Sequence, residues 1–274
     1  MRQIRTREVI MTYTVLCVLS IMALFPYLWM LLGSLKGRLD LFSIPPKIVF
    51  SPTTVNYTEA FVHKSFLQNL MNSMKLAATS TGIAIVIGVP GAYALSRSKA
   101  RGDGLLLMMA LLTRMFPPVV IAIPFYVLMV KLKLVNTMTG ALLAHSILTI
   151  PLMVWMMKSF FDTVPKEIEE AAVVDGCTNI AVFFRIVMPL VLGGLSASSI
   201  LCIITSWNEY LLASVLTGKS TATLPVAIPG LISSNGTLWG EICAVGTVVS
   251  LPIAIFTLAV QRHLVKGMTM GAVK

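Results

Sequence analysis

Six apolar runs of roughly 20 or more residues, at about 10–35, 69–95, 105–132, 142–161, 190–216 and 242–260, constrain this chain more than any other feature. A run of that length crosses a hydrocarbon core about 30 Å thick. Inside such a core the backbone has no water to bond, so each run is restricted to helix. Only 12% of the 274 residues are charged and 57% are hydrophobic, so lipid is the main solvent. The sequence predicts an all-α, polytopic membrane protein with six transmembrane helices, residues 1–274 forming a single transmembrane domain.

An even number of spans puts both termini on one side. If that side is the cytoplasm, the inner segments hold twelve basic residues and the outer segments seven. The excess favours this orientation, because basic residues near span ends are retained inside. Residues 1–9 and the tail 261–274 are then cytoplasmic, 36–68 is an outer loop and 162–190 an inner one. The same topology explains the net charge of +10, whose basic residues lie scattered at span edges with no aromatic-interleaved cluster, so nucleic-acid binding is excluded. The basic start followed by an apolar run has the order of a signal peptide, but the run is too long and no A-x-A site follows, so cleavage is not expected. Cys17, Cys177, Cys202 and Cys243 are far apart and suggest neither a disulfide framework nor a metal site.

Two runs carry features that a lipid-facing rod does not need. The third contains Thr113-Arg114-Met115-Phe116-Pro117-Pro118, and Pro124 follows, so a kink or unwinding is expected there. Arg114 falls near mid-membrane, where two readings fit: a translocation-pathway group, or a structural ion pair with a neighbouring helix. Lys75 lies within snorkelling reach of the outer surface. In the fifth run the upper serines suit close helix packing. Ser206, Asn208 and Glu209, beside Trp207 and Tyr210, suit either a pathway for a polyhydroxylated ligand or an interfacial belt.

The inner loop has its own grammar. Pro165 fits a first helical position, with Glu167, Glu169 and Glu170 near the positive end of the helix dipole. Over 165–174 a short helix is predicted, with Ile168, Ala171, Ala172 and Asp175 on one face. Gly176 ends it in a left-handed conformation, and Thr178 or Asn179 caps a second helix. There Ile180, Phe183, Phe184 and Val187 form an apolar face, closed by Pro189. Such an elbow can transmit force; a loop lying passively at the interface is the alternative.

Glu170-Ala171-Ala172, Gly176, Ile186 and Pro189 at this spacing resemble the EAA loop of permease subunits in binding-protein-dependent ABC importers, with Met188 where leucine is usual. Phe25-Pro26-Tyr27-Leu28-Trp29-Met30, Trp207-Asn208-Glu209-Tyr210 and the tail from Gln261 to Lys274 look like the smaller permease of maltose-type carbohydrate importers. Met268 stands in that tail where leucine is usual, a volume-conserving change. The resemblance implies a type I ABC importer permease fold whose coupling helix, between the fourth and fifth spans, seats in a cytoplasmic ATP-binding subunit. It assigns coupling to Glu170, Ala171, Ala172, Asp175, Gly176, Ile186 and Pro189. It further implies a second homologous permease, a dimer of ATP-binding subunits that hold ATP and Mg, a solute-binding protein outside, a sugar or sugar derivative as cargo, and a prokaryotic inner membrane. No cofactor is expected in this chain.

Catalytic chemistry finds no footing. Gly218-Lys219-Ser220 has Ala213 where a P-loop needs glycine, His63, His145 and His263 lie in separate regions, and no residue is singled out as catalytic or metal-binding. His145, near a span end, reads as structural. The rival class is a secondary transporter or channel driven by an ion gradient, which would use Arg114 and Glu209 as charge-relay groups. A membrane-embedded enzyme would need acid, base or metal ligands at one depth, and none cluster.

Overall fold

The computed structural model describes residues 6–98, 102–233 and 236–270. In chain order the helices are α1 (Thr6–Ser34), α2 (Arg38–Leu41), α3 (Val55–Thr58), α4 (Phe66–Ile83), α5 (Val89–Arg97), α6 (Asp103–Met115), α7 (Pro118–Lys131) and α8 (Met138–Asp162). They continue with α9 (Lys166–Val174), α10 (Asn179–Val182), α11 (Met188–Leu190), α12 (Leu192–Trp207), α13 (Leu211–Leu216), α14 (Leu224–Ala227) and α15 (Trp239–Met270). A two-residue hairpin pairs β1 (Ile232–Ser233) with β2 (Gly236–Thr237).

Among the described residues three helices are long and apolar enough to cross a membrane: Val9–Ser34, Phe66–Arg97 and Met138–Asp162. A fourth is obtained if Asn179–Leu190 and Leu192–Trp207, bent by 78° at their junction, count as one. The other expected spans differ for local reasons. At the third run the chain breaks between α6 and α7, where Phe116 is extended (ψ 133°) and Pro117 follows. Proline offers no N–H and disfavours helical geometry in the residue before it. The fifth run stops at Trp207 and resumes as the short α13. α4 and α5 join through a π turn, Ala84–Gly88, and α10 and α11 through another, Phe183–Val187. Pro90 and Pro189 lie two residues beyond these turns, and each removes a donor from the helix ladder.

The chain divides into two compact units, Met1–Leu67 with Ile228–Leu251, and Gln68–Ala227 with Pro252–Lys274. In the first, α1 approaches α15 through small residues: a Cβ on Gly33 would lie 2.9 Å from the Cys243 sulfur, and one on Gly246 2.7 Å from that of Met30. Asn56 Nδ2 donates to the carbonyls of Ser34 (2.9 Å) and Lys36 (2.8 Å), fixing the end of α1 against α3. The buried Lys36 ammonium lies 5.2 Å from the ring centres of both Trp29 and Phe50. Lys64 pairs with Glu241. Most of α1 is exposed apolar surface, as a lipid-solvated helix requires.

In the second unit α8 is the central rod, packed by α5, α6 and α12. Its Met153, Met157 and Phe161 are buried together with Ala84, Ala92 and Val187. Close approach depends on glycines. A Cβ on Gly88 would come within 3.0 Å of Met153, and one on Gly194 within 2.3 Å of the Phe160 ring. A smaller cluster joins Ala122 and Met129 of α7 to Ala144 of α8 and to Leu212 and Leu216 of α13.

Neighbouring positions in α12 give a paired test. Gly193 has open space where a Cβ would be, whereas Gly194 has none. Gly193→Ala should hold or raise the thermal midpoint of the detergent-solubilised protein, since alanine is favoured over glycine in a helix by about 1 kcal/mol. Gly194→Ala should lower it, overpacking costing roughly 1–3 kcal/mol. Equal midpoints would contradict the packing of α12 on α8.

Candidate functional site

Two groups of polar residues stand out, the loop between α8 and α12 and a buried network between α4, α8 and α12. In the loop, Pro165 is extended (φ −58°, ψ 134°) and immediately precedes α9, so it stands one position outside the helix that was expected to include it. Glu167 and Glu169 occupy the first turn, where the helix dipole favours negative charge. At the far end Gly176 takes φ +89°. The N–H of Cys177 bonds the carbonyl of Ala172 and that of Gly176 bonds Val173, both at 3.0 Å. This double closure is the Schellman arrangement, which needs a left-handed residue where glycine stands. Thr178 Oγ1 then accepts from the Ala181 N–H (3.3 Å), capping α10. Helix, glycine stop and threonine cap thus occur where the spacing predicts.

The side chains sort into two faces. Ala172 is the buried residue of α9, while Glu170, Ala171, Asp175 and Gly176 are exposed. Ile186 is half-buried against the core and Pro189 is exposed. The expected four-residue apolar face of the second helix is split. Phe183 and Val187 are buried, but Ile180 is 73% and Phe184 64% exposed. The π turn widens the helix between these positions, so residues at i, i+3, i+4 and i+7 do not line up. Val174, 87% exposed, adds to the apolar surface left outside.

A set of residues at the loop's base was not anticipated. Arg97 Nε donates to Glu169 Oε1 (2.7 Å), with Arg97 Nη2 at 2.5 Å from the same oxygen, and Tyr93 OH donates to Glu169 Oε2 (2.6 Å). Arg97 Nη2 also donates to the Val164 carbonyl (3.1 Å). Ser96 Oγ accepts from Arg97 Nη1 (3.0 Å) and donates to Asp162 Oδ1 (2.5 Å). In the sequence Arg97 counts only as an inner positive charge; the sole local signal is that Tyr93 and Arg97 are one helical turn apart.

The buried network contains two of the expected pathway residues. Glu209 Oε1 accepts from the Leu212 N–H (3.0 Å) and Oε2 from the Ala213 N–H (2.9 Å), so the carboxylate caps α13. His145 Nδ1 lies 2.7 Å from Ser206 Oγ, and its Nε2 is 3.7 Å from Glu209 Oε2. Ser80 Oγ donates to Ser206 Oγ (3.1 Å), and Thr149 Oγ1 to the Ser80 carbonyl (3.3 Å). Asn208, between Ser206 and Glu209 in sequence, is instead exposed. Trp207 is buried and lines an apolar cavity of about 320 Å³ with Met74, Ala78, Ile203 and Ile255. Arg114 belongs to the last turn of α6, and its side chain lies outside the described residues. The tail's side chains likewise lie outside them.

Comparison with known proteins places this geometry. The family described as binding-protein-dependent transport system inner membrane component matches residues 83–270. A probable ABC transporter permease protein, y4oR of Sinorhizobium fredii, is 37% identical over 258 residues, covering 94% of this chain and 93% of that protein. The sulfoquinovosyl glycerol transport system permease protein SmoH of Agrobacterium fabrum is 35% identical over 260 residues, covering 94% and 91%. Among solved structures, a chain of a bacterial ABC transporter involved in the import of the acidic polysaccharide alginate aligns with a TM-score of 0.76 at 22% identity, covering 96% of this chain and 98% of that one.

Adjacent residues at the end of α12 should respond differently to truncation. Glu209→Ala leaves two buried N–H groups without an acceptor, and loss of such a cap costs about 0.5–2 kcal/mol. Asn208→Ala removes an exposed amide and should leave the thermal midpoint unchanged. A midpoint insensitive to Glu209→Ala would show that the carboxylate does not support α13.

Proposed function

The chain belongs to the binding-protein-dependent transport system inner membrane component family, and from that premise we propose that it is the sugar-carrying permease half of an ATP-driven importer, pushed through the loop between α8 and α12. The observation that carries this reading is the elbow itself. A helix with one buried alanine, a left-handed glycine and a capped second helix leaves Ala171, Val174, Ile180 and Phe184 outward. These small and apolar groups suit the cleft of an ATP-binding subunit, with Glu170 and Asp175 at its rim. Catalysis then resides in those subunits, a dimer holding ATP and Mg, and not in this chain. A second permease completes the pore, and a solute-binding protein delivers cargo from outside.

In this reading the chain crosses the inner membrane six times with both termini in the cytoplasm, α6 with α7 forming one broken span and α15 the last. The cargo is a sugar, glycoside or sugar derivative, in keeping with a relative named for sulfoquinovosyl glycerol. Asn208, exposed at the end of α12, is the residue assigned to cargo contact in this reading. The ion-gradient alternative leaned on Arg114 and Glu209, and Glu209 is occupied by the N–H groups of α13.

The test is to express this permease with its partner permease, ATP-binding subunit and binding protein. Trehalose, maltose and glycosyl glycerols are first screened as probes by thermal shift on the binding protein. Gly176→Leu forces an L side chain into left-handed geometry at a cost of about 1–2 kcal/mol and distorts the turn of the elbow. Uptake of the probe that stabilises the binding protein should fall sharply while the permease still reaches the membrane. Uptake at the unsubstituted rate, with normal expression, would overturn the coupling role.

A further inference from the structure

We propose that Arg97, together with Tyr93, is a positioning residue for coupling: by gripping Glu169 it locks α9 to the end of α5, so the elbow and the Phe66–Arg97 helix move as one body. This rests on the reading that the elbow receives the push from an ATP-binding subunit. It concerns residues outside the Glu170-to-Pro189 motif.

The need for a lock follows from what else holds α9. Its single buried side chain is Ala172, a methyl group, and little apolar area is removed from water by it. The links on either side are short, 163–165 and 175–178, and each adds one apolar anchor, Val164 before the helix and Cys177 after it. These anchors lie at the two ends and at one methyl group between them, and none of them makes a directional bond from the side chains of α9.

Arg97 supplies the missing attachment at several points. Its guanidinium meets Glu169 Oε1 through both Nε and Nη2, and Tyr93 OH takes Oε2, so both carboxylate oxygens are engaged. The same guanidinium reaches the Val164 carbonyl, in the link before α9. It also reaches Ser96, whose hydroxyl bonds Asp162 at the end of α8, and Lys158 pairs with Asp162 at 2.7 Å. The fork joins α5, the link and α9 directly, and the end of α8 through Ser96. Arginine is suited to this and lysine is not, because only the planar fork bonds in several fixed directions.

The arrangement also reaches the far arm of the elbow. The Tyr93 ring lies 5.4 Å from that of Phe161 and 4.9 Å from that of Phe183, in the π turn after α10. One turn of α5 therefore bears on both arms, by charge on α9 and by ring packing on the second helix. With side chains of Arg97 and Glu169 only 16% and 12% exposed, salt screens the pair weakly.

The experiment uses the assembled complex in nanodiscs, with Cys17, Cys177, Cys202 and Cys243 changed to serine and spin labels placed at Ala94→Cys and at Lys166→Cys, an exposed position of α9 outside the face given to the ATP-binding subunit. Pulsed EPR reads the separation of α5 and the elbow without nucleotide and after vanadate trapping. The lock predicts one narrow distance, the same in both states. Arg97→Glu and Glu169→Arg, each alone, should add a second component on trapping, and the two together should restore the single distance. Should a single reversal fail to assemble, Arg97→Lys, which keeps the charge and loses the fork, should show the second component instead. A single narrow distance in the reversal variants, or a double reversal that does not restore it, overturns the proposal. Failure of the coupling reading looks different: the ATP-binding subunit would not copurify with the unsubstituted permease.

Discussion

The peptide group cannot be left unbonded in hydrocarbon, and most of the structure follows from how this chain meets that requirement where its helices stop. Continuous helix satisfies it without help. Each interruption needs a local substitute. At the Asn208–Tyr210 break the substitute is the Glu209 carboxylate, which stands in for the missing turn of helix before α13 by accepting from Leu212 and Ala213. Before Pro90 and Pro189 a π turn redistributes the bonds that proline cannot make. At Gly176 the paired bonds from Cys177 and Gly176 close α9.

The same requirement shapes the packing. Lipid tails are as apolar as leucine, so helices in a membrane associate through close fit and hydrogen bonds and not by escaping water. Gly88 against Met153 and Gly194 against Phe160 supply the fit. Ser80, His145, Thr149 and Ser206 supply the bonds, linking α4, α8 and α12 through groups that would otherwise be buried without partners. Leaving one such group unmet costs about 1–3 kcal/mol, enough to hold three helices in register. The identity of these residues as small and polar is therefore accounted for by structure, and Ser206 in particular needs no cargo to explain it.

The sequence was most informative where a signal is local. The elbow could be read from Pro165, Gly176 and Thr178 because stop, turn and cap are each set by one or two neighbouring residues. The break at Pro117 was legible for the same reason. Partners brought together by folding were not: Glu169 meets Arg97 across 72 positions, and neither residue type says which of three nearby acids will be chosen. Periodicity does not give the apolar face of the second elbow helix, because it assumes an α-helix and the π turn from Phe183 to Val187 changes the period. Glu209 shows a further limit. An acid beside two aromatics reads as a ligand contact, and only the fold reveals that its oxygens already hold backbone donors.

The elbow divides labour between its faces. Its inward side is held by charge and ring contacts to α5, and almost none of that grip comes from apolar burial within α9 itself. Its outward side presents Val174, Ile180 and Phe184 to water, an arrangement that gains about 1.5–3 kcal/mol for each large apolar side chain fully covered by a partner. A lever must be stiff toward the body it moves and complementary to the body that moves it. Placing directional bonds on one side and apolar area on the other lets stiffness and affinity be set by different side chains, and the two sets meet at one point, where the Phe184 ring packs edge-on against Phe183 at 4.8 Å.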